Sequence, residues 1–111
     1  GTPTYAPDLA QMLLSLVQLN VGTGTYHAAG SEAVSWHQLA VRACAAYQLA
    51  IPDAPEKARV EPISSDKWPT PARRPTYSAL SCEKLSQLGI ASRFQLDDAL
   101  EDFAGRIAGR L

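Results

Sequence analysis

The sequence predicts an α+β fold, a helix-rich lobe of about four helices and a small two-stranded sheet. Three observations lead there. Apolar residues recur at helical spacing in separate segments. Two short β-prone runs, Thr25–Ala29 and Val60–Ser64, lie between turn signals. A proline-studded stretch around Pro69, Pro71 and Pro75 excludes a helix there, because proline has no N–H to donate and restrains the residue before it. Two lone strands need further surface to pack on. The elements therefore suit one lobe of a larger α/β protein, and a chain opening Gly1-Thr2-Pro3 without an initiator Met reads as a piece of something longer.

The first helix starts near Tyr5 to Pro7, since proline is tolerated in a first turn and Asp8 suits the positive end of the helix dipole. Leu9, Met12, Leu13, Leu16 and Val17 form its apolar face, and Gly22 and Gly24 follow its end near Asn20. Thr25–Ala29 is the first expected strand. Ser35 and Gln38 make a capping box for a second helix reaching about Ala50, with Leu39, Ala40, Ala43, Cys44 and Tyr47 inward. Pro52–Ala58 reads as a linker. Val60–Ser64 is the second expected strand, with Pro62 favouring an edge position. Ser81 can cap a short helix over Cys82–Leu88, which Gly89 stops. The last helix runs from about Gln95 to Ala108, burying Leu96, Ala99, Leu100, Phe103 and Ile107.

Composition narrows the function classes. With 111 residues the chain is one domain, and 46% hydrophobic residues supply a core. A net charge of -1 is not the basic profile of a nucleic-acid binder. No apolar run is long enough for a membrane span, and with no basic and apolar leader pattern at its start no signal peptide is expected. The two cysteines, Cys44 and Cys82, make no disulfide framework, so a cytoplasmic location is expected. His27, His37 and the cysteines lack zinc spacing. Ser81-Cys82-Glu83-Lys84 fits the Ser-x-x-Lys of β-lactamases, but the companion motifs are missing and capping explains Ser81. The acids Asp97, Asp98, Glu101 and Asp102 at the start of the last helix suit its dipole better than a metal. Trp36 and Trp68 are expected to pack in a core or an interface.

The segment Trp68–Leu80 carries the clearest functional signal. Arg73 and Arg74 sit in the middle of a stiffened extended run, and guanidinium forks match phosphate and carboxylate geometry. Arg74 either faces a phosphate-bearing ligand or pairs with a carboxylate such as Asp66 to pin the loop. Arg73 is expected to be solvated.

In order along the chain stand Gly1-Thr2-Pro3-Thr4 with Asp8-Leu9-Ala10, Gly24-Thr25-Tyr26-His27 with Gly30, and Ser35-Trp36 with Leu39-Ala40. Pro62-Ile63 follows, then Pro71-Ala72, Arg74-Pro75, Ser78 and Leu80, then Lys84-Leu85, Leu88-Gly89 and Ala99-Leu100. This ordered set resembles the C-terminal, substrate-binding part of the dTDP-4-dehydrorhamnose reductases, in the extended short-chain dehydrogenase/reductase superfamily. Phe94 and Leu96 stand where that family often has a Trp, and Tyr77 where it often has an Asn. The resemblance implies that residues 1–111 are a substrate-binding domain fragment of a larger Rossmann-type α/β protein. That protein would bind NADPH or NADH and reduce dTDP-4-dehydrorhamnose to dTDP-rhamnose, for polysaccharide biosynthesis. It implies Arg74, Arg73 and Ser78 as substrate-binding residues, a nucleotide-sugar substrate and an N-terminal dinucleotide-binding lobe as partners. Neither the Gly-x-Gly-x-x-Gly turn nor the Tyr-x-x-x-Lys pair occurs in these residues, so the fragment is expected to bind no cofactor, hold no catalytic residue or metal, and be inactive alone. An apolar patch left by the missing lobe would favour a homodimer. The rival readings are a non-catalytic regulatory or interaction module of the same superfamily, and a related nucleotide-sugar epimerase or dehydratase.

Overall fold

A computed structural model describes residues 1–55 and 58–110. It contains α1 (Ala6–Gln18), α2 (Trp36–Ala50), a 3-10 turn at Ser65–Lys67, the single-turn α3 (Glu83–Ser86) and α4 (Leu96–Ala108). The linker expected over Pro52–Ala58 includes Glu56 and Lys57, which lie outside the described residues. None of the described helices is long and apolar enough to cross a membrane.

The expected two-stranded sheet, and with it the α+β class, is wrong: among the described residues there is no strand at all. Thr25–Ala29 is extended, but its polar groups are engaged by side chains rather than by a ladder. Lys84 Nζ donates to the Thr25 carbonyl at 3.0 Å, and Cys82 Sγ lies 3.8 Å from the Ala29 carbonyl. Just beyond, the Gly30 N–H donates to Thr4 Oγ1 at 3.2 Å. Val60–Ser64 has no pairing partner either. Pro62 has no N–H to offer, and Glu61–Ser64 is exposed throughout. β-propensity reports fitness for a pleated, half-buried surface. Thr25–Ala29 lays Tyr26 and Ala28 on the core cluster but has no neighbouring strand among the described residues, and Glu61–Ser64 meets no such surface.

The helices follow local rules closely. Pro7 occupies the first turn of α1. α2 carries the full capping box: Gln38 N–H donates to Ser35 Oγ at 3.1 Å, and Ser35 N–H donates to Gln38 Oε1 at 2.8 Å. The chain leaves α3 through Gly89, at φ +75, in a left-handed stop where Ile90 N–H bonds the Leu85 carbonyl and Gly89 N–H the Ser86 carbonyl. That turn brings Ile90 back onto Leu85. With Met12 they form the buried cluster, flanked by Leu9, Leu16, Tyr26 and Ala28.

The core is narrower than the helical periodicity implies. Leu9, Met12 and Leu16 face the cluster, but Leu13 is 50% exposed and Val17 is exposed. Leu85 of α3 and Ile90 just after it cover Met12, while the edge of α1 that carries Leu13 and Val17 stays open. On the second layer, α2 packs against α4: Ala46, Leu96, Ala99 and Ala104 are buried, whereas Tyr47 and Phe103, expected inward, are exposed. Trp36 and Trp68 are exposed as well, which removes the core reading for both.

Two polar pins hold the elements together, one between α1 and the segment before α4, the other within the α2–α4 pair. Asp8, 2% exposed, accepts from Ser92 Oγ and from the Arg93 N–H, so the first turn of α1 holds the segment leading into α4. Arg42 on α2 donates to Glu32 at 2.7 Å and to Asp97 at 2.6 Å, joining the loop before α2 to the first turn of α4. Both carboxylates drive the Arg42 guanidinium's pKa upward, Glu32 foremost. Gly30 is needed where it stands: a Cβ there would lie 2.1 Å from the Pro3 carbonyl oxygen.

Candidate functional site

Three prolines, Pro69, Pro71 and Pro75, hold the segment after the 3-10 turn out of any helix. Lys67 N–H bonds the Ser64 carbonyl and Trp68 N–H the Ser65 carbonyl, both within that turn. The Ser64 hydroxyl, and then Asp66's own amide, hold the Asp66 carboxyl below its ordinary pKa. Thr70 Oγ1 donates to the Ala72 carbonyl at 2.9 Å. These contacts are local, and every residue from 61 to 78 is exposed.

Arg73 and Arg74 are therefore presented to solvent. Among the described residues neither enters an ion pair, and Arg74 does not pin the loop to Asp66. Arg73, Arg74 and Ser78 share one loop, but none of the three lines either of the two cavities beside Gly30. What the loop does border is a cavity of about 330 Å³ at its C-terminal end. Thr2, Ala29, Gly30, Tyr77, Leu80, Cys82 and Ile90 help to line it. Tyr77, 78% exposed, forms part of its rim. Ser78 lies close to the chain's first residue, its Oγ 3.5 Å from where a Cβ on Gly1 would sit. Sequence reasoning did not single out Thr2 or Tyr77 as wall residues. The Gly1-Thr2-Pro3-Thr4 motif was visible, but the partner of its Thr2, Leu80, lies 78 residues along the chain.

A larger cavity, about 410 Å³, lies on the other side of Gly30 among Tyr5, Pro7, Phe94, Leu100 and Phe103. Tyr5 and Phe94 meet edge to face, with ring centroids 5.2 Å apart. The Tyr5 hydroxyl donates to the Asp102 carboxylate, which also accepts from Arg106 Nε at 2.8 Å. The Tyr5 bond, with help from Arg106, pulls the Asp102 pKa down, and the same bond pushes the Tyr5 phenol up. Asp8 and Asp102 are thus both engaged by donors, which suits a structural lock rather than a proton-transfer pair.

His27 is exposed, and His37 is half-buried on the first turn of α2. Among the described residues no three His, Cys, Asp or Glu side chains converge on a metal-sized site. Gly22 and Gly24 precede an extended segment rather than a helix, so no ring of helical N–H groups faces a pyrophosphate there. The arrangement suits recognition of an anionic ligand by guanidinium groups.

Comparison with known proteins agrees on one family. The model of the RmlD substrate binding domain matches residues 1–108. A dTDP-4-dehydrorhamnose reductase of Mycolicibacterium smegmatis is 36% identical over 109 residues, covering 98% of this chain and 32% of that protein. One from Mycobacterium tuberculosis is 39% identical over 90 residues, covering 81% of this chain and 28% of the relative. The spore coat polysaccharide biosynthesis protein SpsK of Bacillus subtilis is 26% identical over 93 residues, covering 84% and 30%. The chain thus spans about a third of the length of the curated relatives it matches. No solved structure matches.

Proposed function

The chain belongs to the RmlD substrate binding domain family, and from that membership we propose that it is the nucleotide-sugar-binding lobe of a dTDP-4-dehydrorhamnose reductase. One observation carries the reading within this chain: Arg73 and Arg74 stand exposed and without ion-pair partners among the described residues, on a loop that proline has stiffened. A cation pair left free on a restrained backbone suits a doubly charged diphosphate. Arg74 would take phosphate oxygens through its fork, Arg73 would add positive potential, and Ser78 would offer its hydroxyl to the same ligand. Restraint matters because a loop already held extended loses less freedom when a ligand docks.

Reduction of the 4-keto group belongs, on this reading, to the part of the polypeptide outside these residues. That part would bind NADH or NADPH, which supplies the hydride. This lobe would bind and orient the substrate and help exclude water. The open outer face of α1, where Leu13, Leu14 and Val17 are exposed, supports contact with such a lobe. Self-association of the isolated chain would use the same face.

The test is reconstitution. The protein extended to the full length of its relatives should oxidise NADH or NADPH when given dTDP-4-dehydrorhamnose, and this chain alone should not. Failure of the full-length protein to turn over would favour the regulatory reading, whereas turnover by the isolated chain would overturn the division of labour.

A further inference from the structure

The loop that carries Arg74 is tied back to the body of the protein at one place. Among the described residues, hydrogen bonds made between Asp53 and Ala79 all join near neighbours in sequence. The first long-range bond after that stretch is the Leu80 N–H donated to Thr2 Oγ1 at 2.9 Å. Residues 61 to 78 are exposed, Ala79 is half-buried, and Leu80 itself is 47% exposed, so the tie lies at the surface.

Thr2 is itself held on both sides. The Gly1 carbonyl accepts from the Val34 N–H at 2.9 Å, and Thr4 Oγ1 accepts from the Gly30 N–H at 3.2 Å. Between them the Pro3 carbonyl packs so tightly over Gly30 that no Cβ fits. The Thr2 hydroxyl is therefore a post on a segment held from both sides. The loop end hangs on that post through one amide, with Arg74 only a few residues away and Pro75 stiffening the path between.

We propose that Thr2 is a positioning residue for nucleotide-sugar binding, acting by fixing the end of the loop that presents Arg74. This rests on the assignment of Arg74 to the substrate. Losing the acceptor removes a bond of modest net strength and frees backbone that must then be ordered again when ligand binds. The cost falls on binding, because Thr2 itself need not touch the reacting group.

Thr2→Val keeps the side-chain shape and removes the acceptor, whereas Thr2→Ser restores a hydroxyl. Two measurements separate the clamp from its use. In this chain without ligand, Thr2→Val should speed exchange of the Leu80 amide and lower the NMR order parameters of residues 74–79, while Thr2→Ser stays close to wild type. Unchanged exchange and order would overturn the proposal. In the full-length protein, Thr2→Val should raise KM for dTDP-4-dehydrorhamnose about three- to tenfold, the scale of one hydrogen bond, with kcat within about twofold. Thr2→Ser should return KM toward wild type. A fall in kcat at constant KM, or no rescue by Ser, would also overturn it. A full-length protein inactive with wild-type Thr2 would instead refute the reductase assignment, and the exchange measurement would still decide whether Thr2 clamps the loop. Should Thr2→Val fail to fold, Thr2→Ala gives the same exchange readout.

Discussion

Replacing Arg74 by alanine separates a ligand-binding arginine from a loop pin. The Arg74 side chain is exposed and makes no ion pair among the described residues. Its removal should therefore move folding stability by no more than about 0.5 kcal/mol, the range of ordinary surface substitutions. Binding should respond differently. A hydrogen bond to a charged group is worth about 1.5–3 kcal/mol. At about 1.4 kcal/mol per decade, kcat/KM for dTDP-4-dehydrorhamnose in the full-length protein should fall about 10- to 150-fold. Arg74→Lys should recover little, because an ammonium cannot make the planar two-bond contact. Arg73→Ala should cost less than Arg74→Ala. Steady-state kinetics and thermal melting on the same preparations give both numbers. A lowered melting temperature with unchanged kinetics would refute the reasoning, since Arg74 would then be holding the loop rather than the substrate.

The remaining predictions concern the scaffold. Leu85, fully buried against Met12 and Ile90, should cost about 2–5 kcal/mol on truncation to alanine, whereas Leu13→Ala should cost under about 1.5 kcal/mol because half of that side chain already faces water. Equal losses in denaturant melts would show that the outer face of α1 is packed after all. Acid should weaken the fold partly through Asp102. Its pKa is depressed in the folded state by Tyr5 and Arg106, so the unfolded chain binds the proton more readily, and the stabilisation present above the ordinary aspartate range is lost as pH falls through the folded value. Asp102→Asn should flatten that acid limb, and a melting profile with the same acid slope as wild type would count against the lock. The raised Tyr5 phenol acts at the other end: its stabilisation is present below the ordinary tyrosine range and fades as pH rises through the folded value.

Whatever depends on neighbours a few residues apart was legible from the chain alone. The Ser35–Gln38 capping box, Pro7 in a first turn, the Gly89 stop and the absence of a helix around Arg74 are all local, and all are present. So was the family, because ordered short motifs survive without any knowledge of packing. Contacts between distant residues were not legible. A strand needs a partner, and the β-prone composition of Thr25–Ala29 could not say that Lys84 and Cys82 would approach its carbonyls instead. Periodicity marked Leu13 and Met12 alike as apolar, but only the folded chain, which sets Leu85 and Ile90 against Met12, shows that Met12 is covered and Leu13 is open. The post at Thr2 and the buried Asp8 lock join opposite ends of the chain. Local sequence sets backbone preference within a turn or two, whereas burial and long-range hydrogen bonding depend on which surfaces the folded chain brings together, and that is set by the packing of the whole.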